Sequence, residues 1–162
     1  MTIRAARTAD AAAIAAIWNA VIRDTLATFT TREKTEAVLS AHISERAGAF
    51  WVAEDRGRVA GFATYGPFRA GPGYAATAEH TVILAPDARG RGLGRALLQK
   101  AMDHATANGI HVMVAGISSA NPEAVAFHAA MGFTKTGLMP QVGRKQGQWL
   151  DLIFMQKTLT PP

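Results

Sequence analysis

The chain reads as an α+β protein with a mixed central sheet of about seven strands flanked by about four helices. Three observations predict this. Apolar residues recur at helical spacing, as in Leu93, Leu97, Ala101 and Ala105. Runs of β-branched and aromatic residues of strand length, such as Val59 to Tyr65, stand between turn formers. The middle of the chain then runs strand, glycine-rich loop, helix, strand, helix.

In order, a short strand is predicted at Thr2 to Ala5. A helix follows with Thr8 as N-cap and Asp10 in its first turn, where a carboxylate suits the helix dipole, and Ile14, Ile17, Trp18 and Ile22 form its apolar face. After the loop TLATF, a second helix is predicted from Thr30, because Glu33 three residues on completes a capping box; it carries Val38, Leu39, His42 and Ile43. Phe50 to Glu54, the turn Asp55 to Gly57, and Val59 to Tyr65 make a hairpin. Turn formers fill Gly66 to Gly73, and the next strand covers Glu79 to Leu84, ended by Pro86 and Asp87. Gly92 to Asn108 is a helix with Gly109 as C-cap. Ile110 to Ile117 is a near-continuous apolar run, which predicts a strand covered on both faces. Asn121 and Pro122 open a last helix through Met131, closed by Gly132. Strands from Phe133 and from Trp149 to Lys157 surround the turn-rich GRKQGQ.

The 162 residues fit one domain, residues 1–162, without repeat or linker. With 49% hydrophobic and 18% charged residues, the chain falls outside the disordered class. Zero cysteines remove disulfides, thiolate zinc sites and cysteine nucleophiles. The net charge of +5 raises nucleic acid as a partner, but outside the glycine stretch the basic residues are dispersed among acids, and no nucleic-acid partner is predicted. The longest apolar runs are too short to span a bilayer, and Asp10 breaks the N-terminal apolar stretch, so neither a membrane partner nor a signal peptide is predicted. His42, His80, His104 and His111 lack ligand spacing, and no metal is predicted.

The chemistry concentrates in Arg89, Gly90, Arg91, Gly92, Leu93, Gly94 and Arg95, at the start of a helix. Glycines let backbone N–H groups approach an anion, the helix N-terminus adds partial positive charge, and arginines add charge-assisted contacts, so the stretch is a phosphate cradle. A dinucleotide fingerprint would need glycine at 95, which is Arg, and no P-loop string exists.

What remains, RGRGLG, resembles the (Q/R)xxGx(G/A) pyrophosphate loop of the GCN5-related N-acetyltransferases, the GNAT family. The segment NPEAVAFHAAMGF is similar to the family's following motif, with Asn121, Ala124, and His128 where the family has Tyr. TAEHTVIL and MPQVGRKQGQWLDLIFMQ are similar to the phosphinothricin and methionine sulfoximine N-acetyltransferases of that family. The resemblance covers nearly the whole chain and is strongest from Tyr65 on.

The resemblance implies the three-layer acyl-CoA N-acyltransferase fold, with acetyl-CoA as co-substrate and no metal. Residues 89–95 would hold its pyrophosphate, Asn121 would lie near its pantetheine arm, and backbone N–H groups of Val82, Ile83 and Leu84 would face the oxyanion. Glu79 would take a proton from the acceptor ammonium, directly or through water. His128 would act as general acid or contact substrate or water. Arg69, Ala70 and Gly71, with Glu79, His80 and Thr81, would form the acceptor site, although Phe68 stands where Trp is usual. Strand alternation puts Glu79 and His80 on opposite faces. The implied acceptor is a small amino acid or analogue such as methionine sulfoximine, methionine sulfone or phosphinothricin, the implied assembly a homodimer, and the implied compartment the cytoplasm. Protein or peptide N-termini, another small amine, or a non-catalytic acetyl-CoA sensor stay open as alternatives.

Overall fold

The computed structural model describes residues 1–46 and 48–160. Its strands are β1 (Thr2–Ala5), β2 (Phe50–Asp55), β3 (Arg58–Pro67), β4 (Thr77–Leu84), β5 (Val112–Ser118), β6 (Thr134–Lys145) and β7 (Gln148–Thr158). They form one seven-stranded sheet in the order β1-β2-β3-β4-β5-β7-β6. Among the described residues only the β4–β5 pairing is parallel.

The helices are α1 (Ala11–Asp24), α2 (Glu36–Glu45), α3 (Leu93–Ala107) and α4 (Pro122–Ala130). One sheet face carries Phe50, Val52 and Phe62 against Ile14 of α1 and Leu39 and Ile43 of α2. The other carries Ala53, Ala63, Met113 and Ala115 against Leu97, Leu98 and Ala101 of α3, with Val125 and Phe127 of α4 beside them. Three layers result. Each large side chain so buried contributes on the order of 2 kcal/mol.

Two helices start later than the sequence predicts. Thr8–Asp10 is a turn of 3-10 helix, closed where the Asp10 carboxylate accepts the Arg7 N–H at 2.7 Å, and α1 proper begins at Ala11. The Arg4 guanidinium holds that carboxyl below the usual carboxylate range, with contacts of 2.8 and 2.9 Å. The second helix starts at Glu36, not Thr30, because the Thr35 hydroxyl caps the Val38 N–H at 3.2 Å. Asn19 holds Lys34 extended through bonds of 2.9 and 2.7 Å to its carbonyl and N–H, and Glu33 turns to Arg23 at 2.9 Å instead of closing a capping box.

The last hairpin is tighter than GRKQGQ suggests. Gln146 and Gly147, at φ 49° and 74°, make the whole turn, because two positive-φ residues match the twist of the flanking strands. The α1–α2 loop is tied to β6: buried Lys145 donates to the Thr28 carbonyl at 2.8 Å, and the Phe29 ring fills the space over Gly143.

Candidate active site

β4 pairs with β5 only from Thr77 to Glu79, against Val112 to Val114, although both strands continue for several residues. Beyond Glu79 a gap opens between them. The Ala85 N–H donates to the Ala60 carbonyl at 2.9 Å, toward β3. Since backbone amides alternate along a strand, the Leu84 and Val82 N–H groups point the other way, into the gap, whereas the Ile83 N–H, expected to face the oxyanion with them, is directed to β3.

Just past β4, Gly90 and Gly92 adopt φ 72° and 78°, and Gly92 is the N-cap of α3. Among the described residues no side chain caps this helix. The first intrahelical bond runs from the Ala96 N–H to the Gly92 carbonyl at 3.1 Å, so the N–H groups of Leu93, Gly94 and Arg95 have no helical partner. A Cβ at Gly90 or Gly92 would meet nothing within 4 Å, which leaves the approach to these amides open. Unpaired donors, dipole and open space fit a pyrophosphate. Gly94 packs closer to its surroundings: a Cβ there would make an ordinary contact, 3.5 Å from the Phe127 ring of α4.

The three arginines divide. Arg91 is held by Asp55 at 2.8 Å, whereas Arg89 and Arg95 are exposed, with no ion-pair partner among the described residues. Asn121 caps α4, its Oδ1 accepting the Ala124 N–H at 3.2 Å, which leaves its amide N–H₂ as the part able to meet a ligand.

Glu79 and His80 face opposite sides of β4, as alternation requires. The Glu79 carboxyl reaches across to β5, where its Oε1 lies over Gly116. Part of the residue is exposed, yet desolvation of the carboxyl raises its pKa above the ordinary glutamate value, and no cation pairs with it among the described residues. Thr81, half-buried, shares its face.

His80 is buried under α4 against His128, Nε2 to Nε2 at 3.1 Å, with the rings stacked at 5.1 Å. The His128 Nδ1–H donates to the Ala124 carbonyl at 2.7 Å. A carbonyl only accepts, so this network assigns the hydrogen of His128 to Nδ1; its Nε2 then accepts from His80 Nε2–H. The His80 Nδ1 is left buried without a partner among the described residues. Burial pushes both imidazoles below the ordinary histidine pKa, and the pair is neutral.

Two cavities flank the β3–β4 loop. One, of about 410 Å³, is lined by Phe68, Tyr74, Val114, Gly137 and Phe154, on the face that carries Glu79. Arg69, Ala70 and Gly71 instead line the other, of about 620 Å³, together with Arg46, Tyr65 and His104. The structure therefore does not gather all predicted acceptor residues in one place: His80 lies under α4 and Arg69 at the second cavity. It adds Gly116 and Arg46, which were not among the residues expected from the sequence. A glycine inside the apolar strand VAGIS is a signal of close approach that could have pointed to Gly116; Arg46 has no such signal.

A model of the acetyltransferase (GNAT) family matches residues 14–133. The chain is 44% identical to the L-amino acid N-acyltransferase MnaT of Escherichia coli (strain K12), over 98% of this chain and 94% of that one. It is 43% identical to the L-methionine sulfoximine/L-methionine sulfone acetyltransferase of Salmonella typhimurium, over 98% and 95%. The crystal structure of a GNAT superfamily phosphinothricin acetyltransferase from Sinorhizobium meliloti, in complex with acetyl-CoA, matches with a TM-score of 0.91 at 37% identity, covering 97% of this chain and 87% of that one.

Proposed function

Taking as premise that the chain belongs to the GNAT acetyltransferase family, we propose that it transfers the acetyl group of acetyl-CoA to the amine of a small amino acid or analogue. Methionine sulfoximine, methionine sulfone and phosphinothricin-like acceptors fit the named relatives.

The observation that carries this reading is the gap between β4 and β5. It brings the anion cradle of residues 90–95, the inward N–H groups of Val82 and Leu84, and the Glu79 carboxyl to one opening in the sheet. Acetyl-CoA supplies the thioester carbonyl. Glu79 takes a proton from the acceptor ammonium, and its raised pKa makes it a stronger base than an ordinary carboxylate. The Val82 and Leu84 N–H groups donate to the carbonyl oxygen as it gains negative charge; one such donor contributes roughly 3 kcal/mol. The amine forms the new C–N bond, and as the C–S bond breaks the second proton lost by the amine nitrogen passes through water to the departing thiolate. His128 does not supply that proton in this reading, since both its ring nitrogens are engaged; it forms part of the wall instead.

We also propose one domain over residues 1–162 and a cytoplasmic homodimer. No helix among the described residues is long and apolar enough to cross a membrane. Leu138, Met139, Val142 and Trp149, all on the β6–β7 hairpin, are 46–57% exposed, an apolar surface suited to a second copy.

Thiol release from acetyl-CoA with free amino-acid acceptors tests the reaction, in wild type and Glu79→Gln. We expect turnover on at least one acceptor and a loss of about tenfold or more in the variant at neutral pH. Acetyl-CoA binding without turnover on any acceptor would refute the assignment.

A further inference from the structure

Lys145 is a buried charge that the reaction described above leaves unused. The residue is only 4% exposed, and its ammonium donates to the Thr28 carbonyl at 2.8 Å and to the Thr28 hydroxyl at 3.2 Å. Among the described residues no carboxylate lies within ion-pair distance of it. Burying an ammonium against neutral oxygens carries a desolvation cost that an apolar side chain of similar length would not. In return the charge makes a strong hydrogen bond to one carbonyl of an irregular loop.

That loop crosses the opening in the sheet. Before it, α1 sits over β3 and β4: the Trp18 and Phe62 rings are 5.0 Å apart, and Ile83 packs in the same cluster. After it leaves α1, Thr28 is bonded to Lys145 and the Phe29 ring lies over Gly143, both on β6. In the order β3-β4-β5-β7-β6, the gap between β4 and β5 stands between these two anchors. The faces agree as well. Glu79 pairs with Val114, Val114 with Gln156, and Gln148 with Lys145. Paired residues of neighbouring strands project to one side, as do alternate residues along β7, so Lys145 shares the face of Glu79.

We propose that Lys145 is a positioning residue that pins the α1–α2 loop across this opening, where the loop roofs the approach of the acceptor to Glu79. The proposal rests on the acetyl-transfer reading above. A loop fixed at α1 and at β6 gives the acceptor a rigid wall, which holds its amine in line with the thioester. Released from β6, the loop keeps only its α1 end and that wall is lost. The glycine turn at residues 90–95 opens α3, which packs on the opposite face of the sheet, and is left as it was.

The test compares Lys145→Met, Lys145→Arg and Gly143→Ala with wild type by steady-state kinetics, by calorimetry of methionine sulfone in the presence of CoA, and by hydrogen exchange of the amides of residues 25–35. Lys145→Met should raise the acceptor KM tenfold or more with the acetyl-CoA KM unchanged, and should speed exchange in the loop. Lys145→Arg, which can still donate to the Thr28 carbonyl, should recover part of the acceptor KM. Gly143→Ala would place a Cβ 2.6 Å from the Phe29 ring, forcing the loop off β6 without touching Lys145, and should repeat the rise in acceptor KM. Equal rises in both KM values, or loop exchange unchanged in Lys145→Met, overturn the proposal. If wild type turns over no acceptor, the acetyl-transfer reading fails and calorimetry decides this one alone: acceptor binding weakened in Lys145→Met supports it, while unchanged binding or none to wild type overturns it. Should Lys145→Met not fold, Gly143→Ala decides, an unchanged acceptor KM being the overturning result.

Discussion

The Glu79 carboxyl lies over the bare backbone of Gly116: a Cβ at 116 would stand 2.9 Å from Glu79 Oε1. The clash would be with the free end of a flexible side chain, so the fold can absorb it and the carboxyl cannot stay where it is. Gly116→Ala should therefore keep a melting temperature near that of wild type while kcat/KM falls about tenfold or more. The double variant with Glu79→Gln should lose no more than Glu79→Gln alone, because both act through one group. Additive losses would show that Gly116 works by another route.

Desolvation raises the Glu79 pKa, and only the ionised carboxyl accepts a proton. As pH falls through that value, kcat/KM should drop about tenfold per pH unit, with the bend above the ordinary glutamate value of about 4.3. A pH–rate profile checks this. Glu79→Gln should abolish the bend, and an unchanged bend in the variant would assign it to another group.

The buried pair His80 and His128 makes a prediction about stability. Both folded-state pKa values are lowered, so below about pH 6.5 the unfolded chain binds protons that the folded chain does not. Stability is therefore full above that pH and is lost as pH falls, by up to roughly 1.4 kcal/mol per pH unit for each histidine. Urea unfolding at pH 7, 6 and 5 reads the slope directly. His80→Leu should reduce it, and an identical slope would place the acid sensitivity elsewhere.

Gly92 has φ 78° with open space where a side chain would go. Gly92→Ala should cost about 1–2 kcal/mol of stability from the left-handed conformation alone. Its Cβ would also stand in the open approach to the amides of the cradle, so the acetyl-CoA KM should rise by more than the acceptor KM. An unchanged acetyl-CoA KM would mean that the cradle does not touch the co-substrate.

Much of the architecture was legible in the sequence because its signals are local. The hairpin at Asp55 to Gly57, the helix from Gly92 and the strand ended by Pro86 each depend on a few neighbouring residues and their turn chemistry. Where local signals competed, distant contacts decided: Thr30 and Glu33 had the pattern of a capping box, but Asn19, on another helix, holds Lys34 extended and Thr35 takes the cap. The glycine turn before α3 was legible for the same local reason, and the candidate base was named through resemblance in its strand.

By itself, then, the sequence determined the element types, the glycine-rich start of α3 and the opposite facing of Glu79 and His80, all properties of spacing along one segment. The tertiary structure alone decided that His80 meets His128, 48 residues away, that Gly116 opens space for Glu79, and that Lys145 meets Thr28, 117 residues away. These depend on which strands neighbour each other and where β4 leaves β5, and periodicity within a segment carries no record of its partner.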